Sequence, residues 1–439
     1  MGEKIIMGKK EIPRLLVISN SCISQNDSNG RTLRNFLVGW DSECLAQFYV
    51  NVGDPDFSVC SRYYNITDNQ ALISFIKGKT FNGRLIEQND TQKSSSGEDK
   101  KIKRNAITMS LRNAVWDSKR WRGNQFYEWL DDFHPEMVLL QVGDCTFTIK
   151  LALEVSKKYK VPLIVYNSES YYFKSFDYFR ARGLAHLFYH IFHLEFRRQY
   201  KKLMKNASQT IYICEMLQQQ YDKEFGRPSV SIYTASEVKP TESFASNITF
   251  TTSYLGNLGV GRHKGLIHIA EALQQVSPKL YLDIYGRIPN EEVRDAFNSC
   301  KGIRYKGFVS YEEVVRLMAE SDLLVHTENF SDFYREDLKY AFSTKIADYL
   351  ASGTAFLLYA PDGMACTDYL KKNKAAHIAT NKDELDDMIR KVVRDREFCM
   401  SPVPRALEIA KSNHSAEQNQ KLFQNLLKEQ YLYKGKKYV

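Results

Sequence analysis

Two short segments in the second half of this chain combine glycine, hydroxyl and basic residues at spacings suited to holding an anion. The first is Gly256-Asn257-Leu258-Gly259-Val260-Gly261-Arg262-His263-Lys264-Gly265, which follows the apolar run Ser253-Tyr254-Leu255 and precedes a helical pattern. Glycines let a backbone approach a ligand closely, and a helix N-terminus offers unpaired N–H groups to an anion. Arg262 and Lys264 add positive charge beside that terminus, as a departing diphosphate requires where no metal neutralises it. Both are expected in an exposed loop, so that their loss would spare the fold. A tight turn carrying solvated basic residues would use the same letters.

The second segment is Phe342-Ser343-Thr344-Lys345-Ile346-Ala347-Asp348-Tyr349-Leu350-Ala351-Ser352-Gly353. Ser343 or Thr344 is a good N-cap, which places hydroxyls and backbone N–H groups at a helix start. Lys345 then falls in the first turn, where a cation opposes the helix dipole unless an anion binds there. Asp348 follows about one turn later on the same side, placed to hold ribose hydroxyls. The alternative is a capped core helix with Asp348 as a plain surface acid; the misplaced lysine favours the ligand reading.

These segments need strands and helices to hold them. The first half opens with the buried-strand run Arg14–Ser19, a polar loop ending at Gly30, and a helix beginning RTLRNFLVGW. Strands are expected at Cys44–Val50, Met137–Val142, Val161–Tyr166 and Thr210–Ile213. Helices are expected at Asn69–Lys77, Ile107–Trp116, Arg120–Phe133, Thr146–Tyr159 and Leu184–Lys205. Gln88–Arg104 reads as a polar surface insertion. In the second half, strands are expected at Thr249–Leu255, Lys279–Tyr285, Asp322–His326 and Ala355–Tyr359. Helices fall at Leu266–Gln275, Glu291–Ser299, Tyr311–Glu320 and Thr344–Ala351. Alternation of this kind predicts an α/β protein with two parallel-sheet domains facing across a cleft. The domains are placed at 1–240 and 241–415, with a C-terminal helix and tail at 416–439 packing back on the first; Ala235–Ser246 is polar and contains Pro240.

Composition narrows the classes. The 439 residues are 43% hydrophobic and 26% charged, too long for one ordinary core and globular in balance. The net charge of +9 suits a phosphate-bearing or anionic partner. The basic residues form no zinc-finger spacing, RNA-binding motif or long basic tail, so nucleic acid is not an expected partner. Eight cysteines are scattered without a CxxC pair, and no apolar leader or spanning segment is evident, so a reduced cytoplasmic chain is expected. No cofactor is implied. Asp54-Pro55-Asp56 has the letters of a metal-binding Asp-x-Asp, yet it follows an early strand in turn-like context, and no metal site is expected. His186, His190 and His193 lie near helical spacing amid Leu and Phe and read as partly buried histidines rather than ligands. An epimerase would need acid–base residues beside the sugar, and no such set is evident.

The pairing of GNLGVGRHKG with FSTKIADYLASG resembles the donor half of glycosyltransferase family 4, which has the GT-B fold of two Rossmann-like doubly wound domains. The resemblance covers most of the chain. SNGRTLRNFLVGW and AVWDSKRW…VLLQVGD are similar to bacterial members that build capsule, O-antigen or exopolysaccharide. It implies a metal-independent transfer with retention, from a nucleotide-sugar to a glycan or lipid-linked acceptor. It also implies that the leaving phosphate helps deprotonate the acceptor.

By position, the resemblance implies that Arg262 and Lys264 clamp the diphosphate and that Ser343, Thr344 and Lys345 lie by the β-phosphate. Asp348 takes the place of the ribose-binding Glu, and Gly256, Gly265, Gly286, Phe308 and Val309 line the nucleotide. The first Glu of the family's pair falls on Tyr340, with Glu336 or Glu328 as substitutes. An Arg common after the first glycine is Asn257. The usual first-domain His falls near Asn167-Ser168-Glu169, which makes Glu169 the candidate polar contact there, and Gly30 is a further candidate in the opening loop. Tyr178–Lys205, aromatic and apolar at first and then carrying Arg197, Arg198, Lys201, Lys202 and Lys205, is either an ordinary domain helix or a basic amphipathic helix. In the second case it would touch an anionic membrane at its inner face.

Overall fold

Short apolar runs rich in β-branched and aromatic residues become the strands of two sheets. The computed structural model describes residues 12–25, 28–87, 105–174, 177, 179–180, 182–240 and 250–437. The insertion Gln88–Arg104, Tyr178 and the second half of the expected polar boundary, 241–246, lie outside the described residues.

The first sheet contains β1 (Leu15–Ser19), β2 (Leu45–Tyr49), β3 (Arg62–Asn65), β4 (Arg84–Ile86), β5 (Met137–Gln141), β6 (Leu163–Asn167), β7 (Gln209–Tyr212) and β8 (Ser229–Ser231). Their order is β4-β3-β2-β1-β5-β6-β7-β8. Every pairing is parallel except the edge pair β3–β4. β1, β2, β5 and β6 are buried along their whole length, as strands covered by helices on both faces must be.

The second sheet contains β9 (Thr252–Leu255), β10 (Leu282–Tyr285), β11 (Ile303–Gly307), β12 (Leu323–Thr327), β13 (Ala355–Tyr359) and β14 (His377–Ala379). It is parallel throughout, in the order β11-β10-β9-β12-β13-β14. Strand order reverses between β9 and β12. These two strands pair only at Leu323↔Thr252 and Leu324↔Ser253, then part toward their carboxyl ends. A parallel sheet opens a ligand crevice at such a reversal. Leu266, Ile269 and Leu273 of the helix His263–Val276 seal one face of this sheet against Leu282, Ile284 and Val325.

The chain divides into two units, one of residues 1–213, 218–232 and 420–439, the other of 214–217 and 233–419. Tyr233 to Ser236 group with the second unit, for reasons visible in the packing. The Tyr233 ring lies 5.2 Å from Phe342 and 4.7 Å from Tyr369, and Ser236 bonds to Asp348. The helix Ala416–Lys437 ends in the first unit, where Phe423 stacks on Phe36 at 4.5 Å.

The strands expected from Thr249 and Lys279 begin three residues later, at Thr252 and Leu282, and three helix starts also differ from expectation. The opening helix runs Ser28–Leu37, so Gly30 is its third residue and not the end of a loop. The helix expected from Arg120 begins at Asn124, because Lys119 takes a positive φ of 59° and Trp121 is tied back to the Trp116 carbonyl. The helix expected from Leu266 begins at His263.

Candidate functional site

The carboxyl ends of β9, β10, β11 and β12 carry most of the residues singled out in the second half. Gly256 follows β9 at φ +140°, a region closed to most L side chains. A Cβ there would lie 2.5 Å from Lys345 Cδ and 2.7 Å from Nζ, so glycine is what lets the lysine lie across the strand end. Lys345 comes from the first turn of the helix Thr344–Ala351. Its ammonium sits over the Tyr254 ring, 5.1 Å from the centroid, and donates to the Tyr254 hydroxyl at 3.4 Å. That hydroxyl in turn donates to the Asn257 carbonyl. Burial, and then the Arg262 charge, press the ammonium pKa down to about 7, against the pull of Glu328 and Asp348.

Arg262 corrects the expectation of an exposed loop residue. It is the N-cap of the helix His263–Val276 and is 9% exposed. Its Nε donates to Glu328 Oε2 at 3.1 Å and its Nη2 to Oε1 at 2.8 Å, a side-on fork. Glu328, just past β12, is 3% exposed and also receives His326 Nε2 at 2.9 Å. Burial raises its pKa, but the Arg262 charge and the His326 bond outweigh that and hold the carboxyl well below the ordinary range. Burial lowers His326 to about 4, so it is neutral and donates from Nε2. Lys264, by contrast, is exposed, as expected, in the first turn of the same helix.

Both helix starts at this edge lack an acid in the first turn and carry a cation instead. Other helices of the same unit begin with Glu291 and Glu292, Glu312 and Glu313, or Asp383 and Glu384, as the helix dipole favours. Placing cations at two adjoining N-termini costs stability unless an anion is held there. The loop between Gly256 and Arg262 is itself strained: Val260, β-branched, takes φ +55°. Asn329 Nδ2 clamps it by donating to the Val260 and Gly261 carbonyls, both at 3.3 Å.

Gly286, after β10, is buried against the Gly256 carbonyl, and Gly265 against Thr327. Phe308, after β11, is 63% exposed with the Arg287 guanidinium 4.2 Å over its ring; Val309 beside it is half-buried. Asn257 is exposed. Ser343 is the N-cap by position, but its side chain makes no capping bond. Thr344 opens that helix and is half-buried. Asp348 is not a surface acid: it is 6% exposed, and its Oδ1 accepts the Ser236 hydroxyl at 2.7 Å. Tyr340 is half-buried, and Glu336 is exposed on the short helix Asp332–Asp337.

The remaining candidates belong to the first unit. Glu169 is exposed in the bend after β6. Gly30 is buried in its helix. Asp56 accepts Arg34 Nε at 2.8 Å and the Ser58 hydroxyl at 2.5 Å, so this half of the Asp-x-Asp is engaged within the protein. His186 meets Asp177 at 3.2 Å and His190 at 3.0 Å, and His193 meets the Tyr171 carbonyl at 3.2 Å. The helix Leu184–Asn206 buries Tyr189, Phe192, Phe196 and Tyr200. It exposes Leu184, Leu187, Phe188, Ile191 and Leu194, followed by the five basic residues from Arg197 to Lys205. Among the described residues no helix is long and apolar enough to cross a membrane.

Sequence reasoning missed the buried partners of the chemistry, Glu328 above all, as well as His326 and Ser236. From sequence Glu328 is only a substitute sugar ligand; the one signal it offers is an acid directly after a buried strand.

Residues 262–425 match the family model described as glycosyl transferase-like, a span that begins at Arg262 and takes in both helix starts. No curated protein sequence matches the chain. Solved structures similar to it include HepE from Anabaena in complex with UDP. That protein is 12% identical, with 95% of this chain and 100% of that chain covered and a TM-score of 0.63. Sucrose-phosphate synthase from Thermosynechococcus elongatus is 12% identical over 96% and 100% of the two chains, with a TM-score of 0.62. A glycosyltransferase from Rickettsia africae is 12% identical over 94% and 99%, with a TM-score of 0.57. The fold is GT-B, as expected, and from Arg262 onward the sequence is glycosyltransferase-like. The resemblance to glycosyltransferase family 4 is compatible with both.

Proposed function

We propose that this protein is a glycosyltransferase that takes a sugar from a nucleotide-sugar and passes it, with retention and without a metal, to a glycan or lipid-linked acceptor in surface polysaccharide assembly. The observation that carries the proposal is the meeting of Arg262, Lys264 and Lys345 with two helix N-termini where β9 and β12 part. The complexes of HepE with UDP and with UDP-glucose support a nucleotide-sugar donor.

The four strand ends from β11 to β12 span about 14 Å at ordinary strand spacing, enough for a nucleoside diphosphate. In this reading the base lies by Phe308 and Val309, with Gly286 and Gly256 giving the backbone room. The diphosphate lies by Asn257, Arg262, Lys264, Gly265, Ser343, Thr344 and Lys345, and the ribose by Asp348. As the bond from the sugar C1 to the phosphate oxygen breaks, negative charge grows on the leaving diphosphate and these fixed donors stabilise it. The freed phosphate oxygen takes the acceptor proton. Glu169 supplies a polar contact to the acceptor. The exposed apolar and basic face of the helix Leu184–Asn206 rests on an anionic bilayer at the cytoplasmic side, where a lipid-linked acceptor would be presented. Incubation with a panel of nucleotide-sugars, reading out free nucleotide with and without glycan and lipid-linked acceptors, tests the proposal.

A further inference from the structure

We propose that Glu328 is a positioning residue acting through Arg262: its carboxylate grips one edge of the guanidinium and leaves the other for the leaving phosphate. The proposal rests on the donor-site reading above.

Each hydrogen bond of this trio has a definite direction. Glu328 takes the Nε–H and one Nη2–H of Arg262, and the third bond comes from neutral His326. The carboxylate is thus occupied on both oxygens and nearly sealed from solvent, which removes it as a ligand for a sugar hydroxyl. Arg262 Nη1 has no partner among the described residues, and it is not among the buried unpaired atoms. So the fork holds one edge of a planar, five-donor group and leaves the Nη1 edge for an incoming anion. His326 is held in turn by its strand and faces the Tyr254 ring in parallel, 6.2 Å between centroids. Tyr254 is the residue on which the Lys345 ammonium rests. Glu328 therefore sets the orientation of the arginine, and β12 sets the orientation of Glu328.

The sign of one substitution separates this role from simple charge balance. Removing a negative charge beside two cations favours an anion on Coulombic grounds alone. If Glu328 only neutralised Arg262, Glu328→Gln would bind a nucleoside diphosphate more tightly. If it orients Arg262, binding weakens although the site has become more positive. Glu328→Asp keeps the charge but withdraws the carboxylate by one methylene, and it weakens binding as well.

The test is calorimetry on the full chain with UDP, GDP and ADP, and with uridine as the phosphate-free control. Thermal unfolding identifies folded variants. With the diphosphate that binds, Glu328→Gln and Glu328→Asp lose affinity on the order of tenfold. The affinity for the matching nucleoside is unchanged. In an Arg262→Gln background, adding Glu328→Gln brings no further loss beyond about twofold. Should Glu328→Gln fail to fold, Glu328→Asp and the neutral double variant carry the same comparison. Tighter binding in Glu328→Gln, or an equal loss with and without Arg262, overturns the positioning role and leaves the donor site standing. No binding of any of the three diphosphates by the wild type overturns both.

Discussion

Lys345 makes donor binding depend on pH in a calculable way. Its ammonium is held at a pKa of about 7 by burial and by the neighbouring Arg262. A diphosphate laid across the two helix starts binds the protonated form and raises that pKa. If only the protonated form binds, affinity falls with the protonated fraction, from about one half at pH 7 to about one thirtieth at pH 8.5, roughly fifteenfold. The window avoids the ligand's own titration, because a terminal phosphate loses its last proton near about pH 6. Calorimetry with UDP at steps from pH 7 to 8.5, in buffers of differing ionisation heat, reads both the loss of affinity and the proton taken up. Lys345→Met, similar in length and uncharged, should bind weakly and with no slope. The same shift acts on the fold with a known sign. The folded value lies below the ordinary 10.5, so the unfolded chain holds more protons between about pH 7 and 10, and stability rises with pH across that window. A flat affinity in the wild type, or the same slope in Lys345→Met, would refute the assignment of Lys345 to the diphosphate.

Other substitutions separate charge from packing. Lys264→Ala should lower turnover at least about a hundredfold with an unchanged melting temperature, since the side chain is exposed. Arg262→Ala should lower turnover as much and also cost about 3–5 kcal/mol in urea unfolding, because it strands Glu328 without its partner; near-normal turnover in both would remove the clamp. Asp348→Ala should weaken UDP more than pyrophosphate in calorimetry, and equal losses would remove the ribose role of Asp348. Sedimentation with anionic vesicles at low salt should carry the protein down, less so as salt rises and less with Arg197, Arg198, Lys201 and Lys202 changed to Gln. Protein that stays in the supernatant at low salt would make the exposed face of that helix something other than a membrane contact.

The sequence was most readable where one physical demand acts alone. Continuous apolar runs such as Leu15–Ser19 and Ala355–Tyr359 announce strands buried on both faces, and both formed as expected. The strands that escaped notice are short or mixed: Arg62–Asn65 sits near a sheet edge, Ile303–Gly307 exposes three of its five residues, and Arg84–Ile86, Ser229–Ser231 and His377–Ala379 have only three residues each. The two anion segments were legible because glycine, hydroxyl and lysine at a helix start are local features. Glu328 was not, because its partner is 66 residues away and nothing nearby in sequence marks the pairing. The same holds for Asp348, whose Ser236 partner lies 112 residues earlier, across the expected domain boundary. Arg262 was placed in a loop because an arginine has no reason of its own to begin a helix; its reason is Glu328.

Everything proposed for this site depends on the donor being a nucleotide-sugar. The most direct test is release of free nucleotide from a panel of UDP-, GDP-, ADP- and CMP-sugars, assayed with wild type and with Lys264→Ala. The expected result is release from one donor family, stimulated by acceptor and lost in the variant. Release from none with acceptor present, or equal release by the variant, would contradict it.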